Sequence, residues 1–156
     1  WLEQQIALSE KRLKVLSTSR TAQRLMQLPG VDYLTATTVI ATVGDPSVYK
    51  RGRSFASSIG LVPRHRASGH QIHMGRISKR GDRYLRTLLI HGARSVLRCC
   101  DDKIDKRSLW IKDKKARLGT AKAAVALANK MARECWAILL KADDFTFVMP
   151  EKKAVV

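Results

Sequence analysis

Between Lys50 and Arg86 the chain carries ten basic residues, Lys50, Arg51, Arg53, Arg64, Arg66, Arg76, Lys79, Arg80, Arg83 and Arg86, against the single acid Asp82. Like charges at this density repel one another, so the stretch is poorly suited to a core and favours a surface facing a polyanion. A charge run has a plain alternative reading, a solvated face, but the lack of compensating acid here favours contact with nucleic acid. His65, His70 and His73 are interleaved in the same stretch, and over the whole chain 30 Lys and Arg face 13 Asp and Glu, a formal charge of +17.

The remainder of the composition describes a folded protein rather than a basic tail. Hydrophobic residues make up 45% of the 156 positions and include three tryptophans, enough for one core at this length. No apolar run approaches the ~20 residues needed to cross a bilayer, and no secretory leader is recognisable. The protein is therefore expected in the cytoplasm, with no membrane partner. Cys99, Cys100 and Cys135 cannot form a paired framework and lack CxxC spacing, so they are expected as core thiols. The chain opens at Trp1, directly in a helical pattern, and is expected to be part of a longer protein.

Periodicity predicts a mainly α fold. Leu2, Ile6, Ser9, Leu13 and Leu16 share one narrow helical seam, the pattern of a coiled-coil stub or of a helix lying on its own domain. Residues 1–19 are expected to be the end of a coiled-coil arm, residues 20–149 the domain proper, and residues 150–156 a frayed tail. A helix over 20–27, the turn Leu28-Pro29-Gly30-Val31 and a second helix ending at Gly44-Asp45-Pro46 predict a helix-hairpin-helix. A third short helix covers 50–59. Residues 61–80, with Pro63, Gly69 and Gly75, read as an ordered loop or short β-like hairpin. Asp82 is placed to cap a helix reaching about Cys100. Another spans 106–118 to Gly119, and Thr120 is expected to cap an alanine-rich helix to about Lys141.

Two segments carry chemistry. In a helix-hairpin-helix, Gly30 takes positive φ and the next helix offers its N-terminal N–H groups to a phosphate, which makes Pro29 and Gly30 candidate backbone-gripping residues. The same turn can equally be a packing device. The second segment contains Gly60-Leu61-Val62-Pro63-Arg64, then Ala67-Ser68-Gly69, then Gly75-Arg76-Ile77-Ser78-Lys79-Arg80-Gly81 and Tyr84-Leu85-Arg86.

This second pattern resembles the C-terminal domain of the DEDD-type insertion-sequence transposases related to the Piv DNA invertase, the insertion-sequence family one-ten, associated with guide (bridge) RNAs. The likeness runs from about Leu28 to Trp136. It implies that Ser68 is the nucleophile attacking a DNA phosphodiester, and that DNA, possibly with a guide RNA, is the partner of a homo-oligomeric parent. Candidate nucleic-acid contacts are Pro29, Gly30, Arg64, Arg66, Gly69, Arg76, Lys79, Arg80, Arg83 and Arg86, since guanidinium and ammonium groups can stabilise phosphoryl charge. His70 stands where the family commonly has a second glycine, and its imidazole is a conceivable base. A metal site built from His65, His70 and His73 has no acid or cysteine at ligand spacing to support it.

The family's other half is an acidic domain that holds Mg2+. Nothing in this chain corresponds to it, because Asp32, Asp45, Asp82, Asp101, Asp102, Asp105 and Asp113 read as turn, cap or surface acids. No cofactor is expected in the chain itself, and Mg2+ is expected in the parent's N-terminal domain, without which the fragment should be inactive. Ser54, Ser57, Ser58 and Ser78 read as helix or capping residues. Two alternatives remain open: a non-catalytic helix-hairpin-helix module for DNA or RNA, and a basic RNA-binding protein of ribosomal type.

Overall fold

Helix α7, Thr120–Leu140, is the post on which most of the other helices pack. The computed structural model describes residues 1–68 and 71–141, with the side chains of all of these except 66–68 and 71–74. In α7 the buried residues Ala123, Ala124, Leu127, Ala128, Met131, Ala132, Cys135 and Ile138 recur at helical spacing, so one broad face is apolar. The alanines let neighbouring helices approach closely. Helix α5 (Arg83–Arg98) lays Leu85, Leu89, Ala93 and Leu97 along this face, α4 (Gly52–Ser58) adds Phe55, and α6 (Lys106–Leu118) adds Ile111. Helices α2 (Arg20–Met26) and α3 (Tyr33–Val43) extend the core with Leu25, Ala36 and Val39.

The expected mainly α fold is found: the described residues form seven helices, a short 3-10 turn at Pro46–Val48, and one two-stranded antiparallel sheet. Short polar side chains fix the helix starts. Asp32 accepts from Thr35 N at 2.8 Å, Asp82 from Tyr84 N and Leu85 N at 2.7 and 3.0 Å, and Asp105 from Ser108 N at 3.1 Å, each satisfying N–H groups that the first helical turn leaves free. Thr120 was expected to be such a cap and is not. Gly119, at φ +78°, takes the N-cap position and no side chain caps α7.

One further expectation is corrected, and one reading left open by the sequence gains support. Cys99, at the C-cap of α5, is exposed, whereas Cys100 and Cys135 are buried; the side chains of the adjacent pair diverge, so only Cys100 enters the core. The turn between α2 and α3 contains Gly30 at φ +87°, as a tight reversal requires, but its back is pressed against α5. A Cβ on Gly30 would lie 2.7 Å from the Gly92 carbonyl oxygen, and a Cβ on Gly92 would strike the Gly30 carbonyl oxygen.

Helix α1 (Leu2–Leu16) buries no residue, and its seam residues Leu2, Ile6 and Leu16 are 66%, 52% and 63% exposed. It packs against α3, and Lys14 Nζ stands 5.6 Å from the centre of the Tyr33 ring. Among the described residues these seam positions therefore have no partner helix. Among the described residues no helix is long and apolar enough to cross a membrane. The tail at 150–156 lies outside the described residues.

The contact between Gly30 and Gly92 yields a first prediction. Gly92→Ala forces α5 away from the α2–α3 turn, so urea denaturation should show a loss of about 2 kcal/mol. An unchanged midpoint would contradict this packing.

Candidate nucleic-acid interface

The stretch expected as a loop or hairpin is a β-ribbon. Strand β1, Pro63–Ser68, pairs antiparallel with β2, Gln71–Ile77. The register changes near the base: Pro63 faces Ile77 but His65 faces Met74, so Gly75 and Arg76 together oppose Arg64. This is a bulge of one extra residue, which bends and twists a ribbon locally.

The base of the ribbon is locked onto the helical body. Ser78 N donates to Val62 O at 2.8 Å and Lys79 N to Gly60 O at 3.1 Å. The segments that enter and leave the ribbon approach so closely that a Cβ on Gly60 would meet the Arg80 backbone and one on Gly81 would strike the Ser58 carbonyl oxygen; both glycines have positive φ. Lys79 also lies in the left-handed region, at φ +56°, uncommon for a residue with a Cβ. Asn129 Nδ2 on α7 donates to Leu61 O at 3.0 Å from the other side.

Arg86 completes the lock, and here the sequence-based expectation is corrected. Counted above among the nucleic-acid contacts, Arg86 is only 8% exposed. Its Nη1 donates to Ile59 O at 2.9 Å and to Arg80 O at 3.2 Å. One guanidinium thus ties the end of α4 to the segment after β2, and it is not free to meet a phosphate. Pro29 and Gly30 are half-buried against the body, and the α3 N-terminus expected to receive a phosphate holds the Asp32 carboxylate instead.

The other candidate cations whose side chains are described face outward. Arg64, Arg76, Lys79, Arg80 and Arg83 are all exposed, and none takes part in an ion pair among the described residues. Arg64 Nη2 donates to Ser78 O at 3.1 Å, which orients its guanidinium across the ribbon base. Asp82, the one acid in the stretch, is occupied in capping α5 and lies 3.4 Å from Thr42 Oγ1. The positive surface is therefore unbalanced.

Ser68 is the last residue of β1 and pairs in register with Gln71, as Arg66 does with His73. At about 3.3 Å per residue it stands ~17 Å along the strand from Pro63, toward the outer end of the ribbon. The side chains of Ser68, Arg66 and His73, and the whole of Gly69 and His70, lie outside the described residues. Among the described residues no three His, Cys, Asp or Glu side chains gather to hold a metal ion. The acids are engaged elsewhere. The Ser47 N–H and hydroxyl hold the Asp45 carboxyl below the usual carboxylate range, and the Lys115 ammonium does the same for Asp101 at 3.1 Å.

Sequence reasoning missed the part of the basic surface that lies outside the Lys50–Arg86 stretch. A groove of about 1740 Å3 runs along α7 from Ala121 to Ala137, between α4, α5, α6 and the ribbon base. Arg51, Arg53, Arg94, Lys122, Lys130 and Arg133 line it, together with Arg76 and Lys79, which it shares with the ribbon surface. Its one acid, Glu134, is held by Arg107 Nη1 at 2.7 Å. The signal was present in part: Lys122, Lys130 and Arg133 are separated by eight and three residues, which places them on one helical face.

With this geometry in hand, comparison with known proteins is informative. Residues 22–108 match the family described as Transposase IS116/IS110/IS902. The chain is 47% identical, over 88% of its length and 41% of the relative's, to a probable family 20 transposase of Pseudomonas aeruginosa. It is also 47% identical to the transposase for insertion sequence element IS1111A of Coxiella burnetii, over 87% of the chain and 38% of the relative. Identity is 35% to the transposase for insertion sequence element IS1328 of Yersinia enterocolitica, over 94% and 44%. The chain thus spans about two fifths of the length of the curated relatives it matches.

The two possible roles of Arg86 differ in their consequences. Arg86→Met leaves the Ile59 and Arg80 carbonyls without this donor and should lower unfolding stability by about 2–3 kcal/mol, since hydrogen bonds from a charged donor are worth ~1.5–3 kcal/mol. Weaker DNA binding at unchanged stability would instead make Arg86 a phosphate contact.

Proposed function

This chain belongs to the IS116/IS110/IS902 family of transposases, and we propose that it is the part that grips DNA and supplies Ser68 as the nucleophile of strand cleavage. The observation that carries this reading is the β-ribbon, anchored at its base and bearing Ser68 toward its outer end, with Arg64, Arg76, Lys79, Arg80 and Arg83 exposed and free of ion pairs among the described residues. Contacts from such cations go to phosphate and carry no sequence information, so they position a duplex rather than choose it.

In the proposed step the Ser68 Oγ forms a bond to phosphorus while the bond from phosphorus to one sugar oxygen breaks. The serine proton passes to a base, the departing oxygen takes up a proton, and the products are a serine–DNA phosphodiester and a free sugar hydroxyl. Charge accumulates on the non-bridging oxygens during this exchange, and nearby guanidinium groups would stabilise it. Arg66, two residues before Ser68 on the same strand, and Gly69 belong to the same proposed centre.

The wider setting follows from the same reading. A guide RNA would be a second polyanion for the basic surface, and the exposed seam of α1 would pair with another protomer in a coiled-coil arm. Mg2+ would be held by acidic residues elsewhere in the parent protein. The setting is the bacterial cytoplasm, at the nucleoid.

The decisive experiment uses the full-length transposase with its insertion-sequence DNA. Wild type should trap a covalent protein–DNA adduct, and Ser68→Ala should abolish it while leaving DNA affinity within about twofold, because the hydroxyl adds little to phosphate binding. Retention of the adduct in Ser68→Ala overturns the nucleophile assignment and leaves a non-catalytic binding module.

A further inference from the structure

The groove along α7 differs from the ribbon surface in one respect: its walls are apolar as well as cationic. Ile77 from β2, Ile90 from α5, Trp110 from α6, and Val125 and Trp136 from α7 all line it. Lys130 Nζ stands over the Trp110 ring, 4.6 Å from its centre, so the ammonium covers part of that indole face. Trp136 is fixed by its Nε1, which donates to Pro46 O at 2.9 Å.

The size and chemistry of this groove narrow its occupant. Its volume of about 1740 Å3 exceeds the ~300–1,000 Å3 of small-molecule pockets, and its course from Ala121 to Ala137 along α7 covers ~24 Å at 1.5 Å per residue. The cations favour a polyanion, and the single lining acid is already paired with Arg107. A duplex hides its base faces in the stack and would leave the apolar walls unused. An unpaired strand offers both a charged backbone and exposed base faces, the combination that basic grooves with aromatic platforms bind.

We propose that this groove holds a single-stranded nucleic-acid segment, with its backbone along Lys122, Lys130 and Arg133 and its bases against Trp136 and the neighbouring aliphatic side chains. The inference rests on the DNA-binding reading above and adds to it a site that adjoins the ribbon surface at Arg76 and Lys79 and extends away from it along Lys122, Lys130 and Arg133. Duplex is held at the ribbon, and an unpaired strand, such as one opened for exchange or pairing, is held along α7.

The test compares a labelled oligothymidylate with a mixed-sequence duplex of equal length, using wild type and the Lys122→Ala, Lys130→Ala, Arg133→Ala triple variant. Alanine is the best helix former, so the variant should keep α7, and circular dichroism checks this. The triple variant should lose single-strand affinity by at least about tenfold, with its log-log salt slope flattened by about two, and keep duplex affinity within about twofold. In a Trp1→Phe background, oligothymidylate should quench tryptophan emission as bases stack.

Equal losses for both nucleic acids would overturn the proposal and make the groove part of the duplex surface. Unchanged single-strand affinity, or no quenching, would overturn it and give the groove to a protein segment. Failure of wild type to bind duplex at all would instead overturn the DNA-binding reading.

Discussion

A buried guanidinium with no carboxylate partner among the described residues fixes the position of the ribbon. Arg86 donates to the carbonyls of Ile59 and Arg80, and these sit on the two segments that enter and leave the β-ribbon. A two-stranded ribbon is marginal in water by itself. Here its base is closed by Arg86, by the Ser78–Val62 and Lys79–Gly60 hydrogen bonds, and by a backbone approach that only Gly60 and Gly81 permit. The helical body supplies stability, and this small lock converts it into a defined direction for the ribbon and for Ser68.

Charge is segregated over the molecule in a way that net charge alone does not reveal. Acids are concentrated where they have local tasks: Asp32, Asp82 and Asp105 cap helices, while Asp101, Asp113 and Glu134 pair with Lys115, Arg117 and Arg107. The ribbon cations have no such partners among the described residues. The resulting field attracts phosphate backbone before any close contact forms. The body therefore does two things for the proposed site: it holds the ribbon and it keeps counter-charges away from it.

Much of this was legible in the sequence because the relevant signals are local. Asp32, Asp82 and Asp105 announce helix starts through hydrogen bonds made within three residues, and Leu85, Leu89 and Leu97 announce the buried face of α5 by spacing alone. Arg86 was misread because its partners lie up to 27 residues away, and nothing in a basic run distinguishes the one arginine that turns inward. The α7 groove escaped notice for the same reason. It exists only once α4, α5, α6 and the ribbon base surround one face of α7, although Lys122, Lys130 and Arg133 were correctly spaced. The Gly30 turn was found, but its use in packing depends on Gly92, which no local pattern indicates.

The central claim is that exposed ribbon cations hold a sugar-phosphate backbone. It is tested most directly by the salt dependence of duplex binding for the wild-type protein and for Arg64→Ala combined with Arg66→Ala. Release of counterions from about six phosphates predicts a wild-type slope of log K against log salt near −5, reduced in magnitude by about two in the double variant. A slope near zero, or one that the double variant leaves unchanged, would contradict the account.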